Sequence, residues 1–542
     1  MSCMNEGLRR RDSMQSDSSE VLDADDPRVT GITKRYLDDP EDVEKACRRQ
    51  MDYKARKKER MKMRIEFNVS SMLARQDFLM TLARALLTFG APSHRIESQL
   101  IAAARILVVD AEFIHIPGVI ICSFGDQETK TSESHFVKCG GRIDLGRLSC
   151  VHKIYRSVVH DELSAKKATK QLEALLNAKP IYKILTRCTL SFWLSALICP
   201  LAFGGSFLDM WIAAAGAFVL AALQLTVAAK SAMYAQIFEI SVAILMSFVA
   251  RGLSSIRSQI FCYTAISSAG IVGILPGYLI LSSSLELASK NIVCGSVKMV
   301  YALIYTLSLG FGLQIGSDFY LLLDPGARNS LQYLAANMST TISLTGNFTA
   351  DNGMSYPGLP LSGTFTFTNS TGPLSRNIIA GCYRPPDAAW YLQPFPWWTQ
   401  FIIVPLFSVI SSLSNLQPFW SPDLIVMVII SCASYAANKI ANHFIFGRSD
   451  IVSAIGAFTV GLLGNIYSRK LGGTAFTSMV TGVLFLVPSG LSQAGGITAE
   501  GSGIDIGGAM ISVTIGVTVG LFMSQALVYT FGTRKNAAVF SF

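Results

Sequence analysis

"ILPGYLILSSS", residues 274–284, and "FLVPSGLSQAGG", residues 485–496, both start as apolar helix and then insert proline, glycine and serine. A proline removes one amide donor and frees a carbonyl one turn back. In lipid such a gap is tolerated only where protein or a water-filled cavity answers the freed groups. Two breaks of this kind, one in each half of the chain, call for a purpose, and their surroundings indicate what it is.

The chain has 542 residues, 50% hydrophobic and 15% charged, with a formal net charge of +9. So little charge in so long a chain points to a protein with many membrane spans. The apolar content is concentrated after residue 181. Five segments, 184–204, 208–229, 236–253, 261–281 and 292–316, approach the ~20 residues a bilayer core requires. A polar stretch, 317–397, follows, and then five more segments at 398–413, 423–441, 451–468, 474–490 and 506–530. The expected fold is an α-helical polytopic membrane protein of about ten transmembrane helices, with repeat 1 in 181–316 and repeat 2 in 398–542. An odd-numbered unit enters the membrane in opposite senses in its two copies, which makes this a 5+5 inverted repeat of the kind secondary transporters use.

The N-terminal 180 residues differ in kind. Residues 1–68 are polar and read as disordered. Their basic run "RRQMDYKARKKERMKMR", 48–64, is either a solvated segment or a contact for anionic lipid. Residues 69–180 read as a cytosolic α/β domain. Leu79, Leu82, Leu86 and Phe89 recur at helical spacing before Gly90, a C-cap candidate. Pro92 suits the first turn of a second helix, with Ile96, Leu100, Ala104 and Leu107 on its face. "AEFIHI" and "GVIICSF" read as strands joined at Pro117-Gly118, with "ESHFVKC" a third.

No leader with a small-residue cleavage site precedes the first apolar run, so both termini are expected in the cytosol. The Lys and Arg bias agrees modestly, with Lys179, Lys183, Arg187, Lys230, Lys290, Arg469, Lys470, Arg534 and Lys535 on that side against Arg251, Arg257 and Arg448 on the other. Asn337, Asn347 and Asn369 head glycosylation sequons in the loop that this topology places outside. Asn68 heads another on the cytosolic side. The plasma membrane and endomembranes both fit. The eleven cysteines are scattered without a CxxC pair, so no disulfide framework is expected.

The two breaks occupy the fourth span of each copy. Around the first lie Pro276, Gly277, Ser282 and Glu286; around the second, Pro488, Gly490, Ser492 and Gln493. Exposed amides at a half-helix start suit a carboxylate, and exposed carbonyls suit a cation or an ammonium group. A small zwitterionic amino acid presents both. Packing kinks alone are the plainer reading of either break. Glu239, inside the third span, is a candidate for proton coupling, because an ionisable group there is expensive. Lys298 and Lys439 read as snorkelling lysines. Gln224 and Gln314 read as helix-to-helix hydrogen bonders, and Gly312/Gly316 and Gly516/Gly520 as close helix contacts. Five of the six histidines fall in the α/β region, but HExxH, GxSxG and tight His/Cys clusters are absent from the sequence. No catalytic residue, metal site, cofactor or nucleic-acid partner is expected. The expected partners are the bilayer, a small polar amino acid and protons, and a homo-oligomer is compatible with the sequence.

"LARALLTFGAPSHRIESQL" (82–100), "FIHIPGVIICSFGD" (113–126), "DLGRLSCVHKIYRSVVHDELS" (144–164) and "LVPSG" (486–490) together resemble the threonine/serine exporter family, most of all its fungal branch of pheromone-regulated membrane proteins. The resemblance runs from about residue 70 to the end. It implies a cytosolic N-terminal domain, ten spans and proton-driven export of threonine and serine. The residues matching the N-terminal motif include His94, Arg95, Glu97 and Asp126, together with Gly90, Pro92, Pro117, Gly118, Phe124, Gly125, Asp144, His152 and His160. The long basic tail and the sequon-bearing loop depart from that pattern. Three functions stay open at this point: a transporter of small amino acids, a non-transporting component of mating or cell fusion, and a membrane-tethered hydrolase.

Overall fold

The computed structural model describes residues 72–126, 131–141, 143–160, 162–227, 232–256, 260–338, 341–348, 361–368, 378–379, 382–383, 389–445, 448–471, 473–486 and 503–531. Met72–Val159 and Ala165–Phe542 form one compact unit.

The N-terminal elements follow the periodicity of the sequence. Helix α1 (Met72–Thr88) buries Leu79, Leu82 and Leu86 completely. Gly90 ends the run in the left-handed region at φ 81°, while the Ala91 amide returns to Leu86 O at 2.9 Å. Pro92 sits one residue before α2 (Ser93–Ile106), at its cap rather than inside its first turn. Ile96, Leu100, Ala104 and Leu107 are buried. Strands β1 (Ala111–Ile116), β2 (Val119–Asp126) and β3 (Thr131–Lys138) form an antiparallel meander. The first turn is Pro117-Gly118, with Gly118 at φ 83°. Helices α3 (Leu145–Val159) and α4 (Ala165–Asn177) complete the layer over Phe78, Ile120 and Leu148.

Next come α5 (Ile184–Phe203), α6 (Phe207–Thr226), α7 (Ala232–Ser254), the pair α8 (Tyr263–Gly270) and α9 (Gly277–Ala288), and α10 (Ile292–Leu323). After α11 (Pro325–Met338), β4 (Thr341–Phe348) pairs antiparallel with β5 (Leu361–Thr368). Helices α12 (Gln400–Ser414), α13 (Pro422–Phe444), α14 (Ser449–Leu471), α15 (Ala475–Leu484) and α16 (Gly503–Phe531) follow. Among the described residues, eight helices are long and apolar enough to cross a membrane, and the α8–α9 pair, bent by 57°, makes up to nine. The chain is therefore a multi-pass integral membrane protein. The expected span at 474–490 starts as α15, and its break falls outside the described residues.

Helix pairing recurs between the halves. Helix α5 packs on α6 as α12 does on α13; α7 packs on α10 as α14 does on α16. Helices α10 and α16 pack on each other, and so do α5 and α12. The glycine spacings read as close contacts serve that role: Gly312 and Gly316 lie on the Ile240 and Ile244 carbonyls of α7, Gly516 and Gly520 on the Asp450 and Ala454 carbonyls of α14. Gln314 departs from expectation. It donates to Asp318 on its own helix, at 3.0 Å and 2.9 Å, and so caps its own polarity instead of bridging to another helix. A second correction concerns the cysteines. Cys262, just ahead of α8, is disulfide-bonded, whereas Cys122, Cys139, Cys150 and Cys188 are free.

Candidate functional site

The fourth span breaks where its sequence does. Helix α8 stops at Gly270, a tight turn covers Val272–Ile274, and Pro276 (φ −82°, ψ 39°) precedes α9. The backbone there is answered in part. The Tyr305 hydroxyl of α10 donates to Ile274 O at 3.0 Å, and the Glu239 carboxyl of α7 meets the same hydroxyl. Ile271 and Ile274 join a cluster with Leu220, Phe238, Met246 and Leu313. Pro276 and Gly277 are buried and a phenol answers Ile274 O, while Gly273 is exposed with nothing within 4 Å of where a Cβ would stand, so the break is packed on one side and open on the other. The serines beyond it are buried. Ser282 and Ser283 donate to Leu279 O (3.3 Å) and Ile280 O (3.1 Å) on their own helix, and Ser283 also lies 3.7 Å from Met299 Sδ on α10. Ser284 reaches across to Thr518 of α16 at 2.8 Å.

The polar centre lies one turn further on, at Glu286. This carboxyl is 0% exposed. Its Oε1 accepts from Lys298 Nζ at 2.5 Å and from the Ser93 amide at 2.8 Å; its Oε2 is buried without a partner. Lys298 is therefore an internal counter-ion and not the snorkelling lysine its place near a helix end suggested. Pro92 offers no side-chain cap to α2, so Glu286, on a membrane helix, takes that job and complements the helix dipole.

Of the N-terminal motif residues, His94 and Glu97 gather around this corner, whereas Arg95 and Asp126 do not. Both His94 ring nitrogens are buried without partners, and burial lowers the imidazole pKa to about 4 against the opposing pull of Glu286. Glu97 accepts from the His115 amide (3.2 Å) and from Asn291 (3.3 Å), while burial raises its pKa. His115 Nδ1 lies 3.1 Å from Cys294 Sγ. Tyr278 donates to Gly90 O and places its ring 6.0 Å from that of Phe476 on α15, so the two interrupted spans touch. Arg95 faces away from Glu286, towards α3. Asp126 ends β2 opposite Thr131, apart from this cluster.

A second docking point holds α3. The Leu145 amide donates to Asn415 O at 3.1 Å, and Ser149 bonds Asp423 at 3.3 Å. Gly146 lies so close that a Cβ there would stand 2.8 Å from Leu416 O and 2.7 Å from Pro418. The N-terminal layer thus bridges two corners of the helical bundle, α9–α10 and α12–α13.

Pro488, Gly490, Ser492 and Gln493 lie outside the described residues, as does Asn369. Asn337 falls in α11, and Asn347 in β4 opposite Ser362. Sequence reasoning missed a set of buried hydroxyls on α12, α13 and α14. Ser412 bonds Thr481 at 3.0 Å, and the hydroxyls of Ser408, Ser431 and Ser453 are buried without partners. The available signal was serine at helical spacing in apolar helices, as at Ser408, Ser411 and Ser412. Lys439 lies over the Tyr435 ring at 5.6 Å. Among the described residues no three His, Cys, Asp or Glu side chains gather as a metal site.

The buried imidazoles give a pH dependence with a definite sign. His94 and His115 are both lowered from 6.5 to about 4, chiefly by burial. The unfolded chain therefore takes up protons first. The stability from burying neutral rings is complete above pH ~6.5 and drains away as pH falls towards 4. Melting temperature followed across that window should drop, and a flat profile would show the rings to be solvated.

With this geometry in hand, the chain can be set beside known proteins. The ThrE family of threonine/serine exporters matches residues 77–320. Pheromone-regulated membrane protein 10 of Pichia sorbitophila is 34% identical over 523 residues, covering 92% of this chain and 46% of its own. An uncharacterized protein of Schizosaccharomyces pombe is 35% identical over 505 residues, covering 88% and 58%. Pheromone-regulated membrane protein 10 of Candida albicans SC5314 is 33% identical, covering 89% and 41%. The chain spans about half the length of these relatives. No solved structure matches it. Residues 77–320 carry a match to the threonine/serine exporter family, and over about nine-tenths of its length the chain is similar to fungal proteins named pheromone-regulated membrane proteins.

Proposed function

We propose that this chain is a secondary transporter that exports small amino acids of the threonine/serine kind, coupled to protons, through ten spans arranged as a 5+5 inverted repeat. The observation that carries the reading is Glu286: a fully buried carboxylate just past a broken span, paired on one oxygen and bare on the other. Such a group inside a membrane helix is costly unless it is used. A zwitterion offers an ammonium group for the bare oxygen, and the recurring pairing of third with fifth helices supports the repeat. The candidates Pro276, Gly277, Ser282 and Glu239 supply the break, its lining and a second protonatable group; Pro488, Gly490, Ser492 and Gln493 are the proposed counterparts. The N-terminal layer, seated on Glu286 through α2, closes the site on its own side.

The disulfide supports the expected orientation. Stable disulfides belong to oxidising compartments. Cys262 leads into one end of the broken span, and the N-terminal layer with its free thiols docks at the other. This fits cytosolic termini and an outer loop carrying Asn337, Asn347 and Asn369. Peptide N-glycosidase should lower the apparent mass of the protein from a fungal host, and replacing all three asparagines with glutamine should remove that shift. A persistent shift would leave Asn68 as the acceptor and reverse the topology.

Labelled serine and threonine flux in proteoliposomes, with and without a pH gradient, tests the function. Gradient-dependent movement is expected, with its pH dependence weakened in Glu239→Gln. Failure of every small polar solute to move would favour a mating or fusion role, which the printed names of the relatives and the paired outer strands β4 and β5 support.

A further inference from the structure

Arg95 sits in the N-terminal layer with a charge that nothing balances. The residue is 7% exposed, and its Nη1 is buried without a hydrogen-bond partner. Among the described residues no carboxylate pairs with it. Charged side chains are almost never buried this deeply unless they are paired. Burial lowers its pKa to about 9, and the neighbour that opposes the shift is the Tyr155 phenol.

The groups around it share one character. Gln99, one turn along α2, is 7% exposed, and its Oε1 is buried and unpartnered. Its Nε2 lies 3.3 Å from His152 Nε2 on α3. His152 is held neutral, its pKa pushed well below 6.5 by burial and then by Arg95. The His152 and Tyr155 rings are 6.2 Å apart on the same helix. The guanidinium, the phenol and the His152 ring N–H supply hydrogen-bond donors and one full positive charge, while the Gln99 amide nitrogen faces His152 and orients its ring. A guanidinium fork matches the planar oxygens of a carboxylate or a phosphate.

We infer that Arg95, Gln99, His152 and Tyr155 form an oxyanion-binding site between α2 and α3, apart from the membrane site at Glu286. The ligand is a small carboxylate or a phosphate group. Its place has a consequence. Helix α2 carries the contact with Glu286, and α3 carries the contacts with Asn415 and Asp423. An anion held between them ties together the two helices by which the layer docks.

The test is titration of the full-length protein in nanodiscs, followed by calorimetry and by melting temperature. Inorganic phosphate, acetate and L-serine are the probes, and ethanolamine, which lacks an oxyanion, is the control. At least one oxyanion should bind and raise the melting temperature, and ethanolamine should not. Phosphate alone would identify a phosphate site, whereas acetate and serine would identify a carboxylate site. Arg95→Gln should weaken binding by about tenfold or more, with Arg95→Lys between the two because it keeps charge without the fork. If Arg95→Gln does not fold, Tyr155→Phe, which removes one donor at the edge, should weaken binding severalfold. Wild-type protein that binds no oxyanion, or an Arg95→Gln or Tyr155→Phe variant with undiminished affinity, overturns the site. Because the readout is binding, an absence of transport would leave this result unaffected.

Discussion

Glu286→Ala should abolish gradient-driven flux and destabilise the protein by about 3–5 kcal/mol, the usual cost of leaving one half of a buried ion pair alone. The stranded partner is Lys298, whose ammonium has no other anion at bonding distance among the described residues. The substitution also strips the N-terminus of α2 of its acceptor, since the Ser93 amide then faces no oxygen. Glu286→Gln separates the two effects. The amide can still accept from Ser93, but it cannot ionise, so the melting temperature should recover in part while flux stays lost. The double variant Glu286→Gln with Lys298→Met removes both charges and should melt higher than Glu286→Ala. Normal coupled flux in the double variant would show that this pair only holds the fold.

How much of this corner was legible beforehand depended on the range of the interaction. Gly90, Pro92 and the strand pair across Pro117-Gly118 are local devices, visible as composition and spacing. The break at Pro276–Gly277 was legible for the same reason, because proline acts within one turn of itself. The partners were not. Ser93 and Glu286 are separated by 193 residues, Ser149 and Asp423 by 274, and nothing in a single sequence marks which distant carboxylate caps which helix. Lys298 was misread because a lysine near a helix end normally reaches for water; here a buried acid lies within reach. The hydroxyls of Ser408, Ser431 and Ser453 escaped notice because serine in a membrane helix usually bonds its own backbone, and only the packed structure shows which ones do not.

The helix-packing glycines lead to the second large effect. Gly316→Leu and Gly520→Leu should each prevent a stable, monodisperse protein from forming. At both positions a Cβ would be driven into a main-chain carbonyl on the neighbouring helix, Ile244 in one half and Ala454 in the other. A flexible side chain could move aside, but a helix carbonyl can do so only if the whole helix shifts. Overpacking of even a methylene or two costs about 1–3 kcal/mol, and leucine adds more than that at a backbone contact. Gly508, on the same helix as Gly520, provides the control: a Cβ there meets nothing within 4 Å. Gly508→Ala should be neutral or slightly stabilising, because glycine costs a helix roughly 0.5–1 kcal/mol relative to alanine. Size-exclusion profiles and melting temperatures of the three variants would decide it. The comparison also bears on the repeat. Gly312 and Gly316 meet carbonyls four residues apart on α7, and Gly516 and Gly520 meet carbonyls four residues apart on α14. If the halves are two copies of one unit, Gly316→Leu and Gly520→Leu should be damaging to a similar degree. Tolerance of one beside collapse of the other would mean that the matching spacing arose from ordinary helix packing, and the repeat would lose its main support.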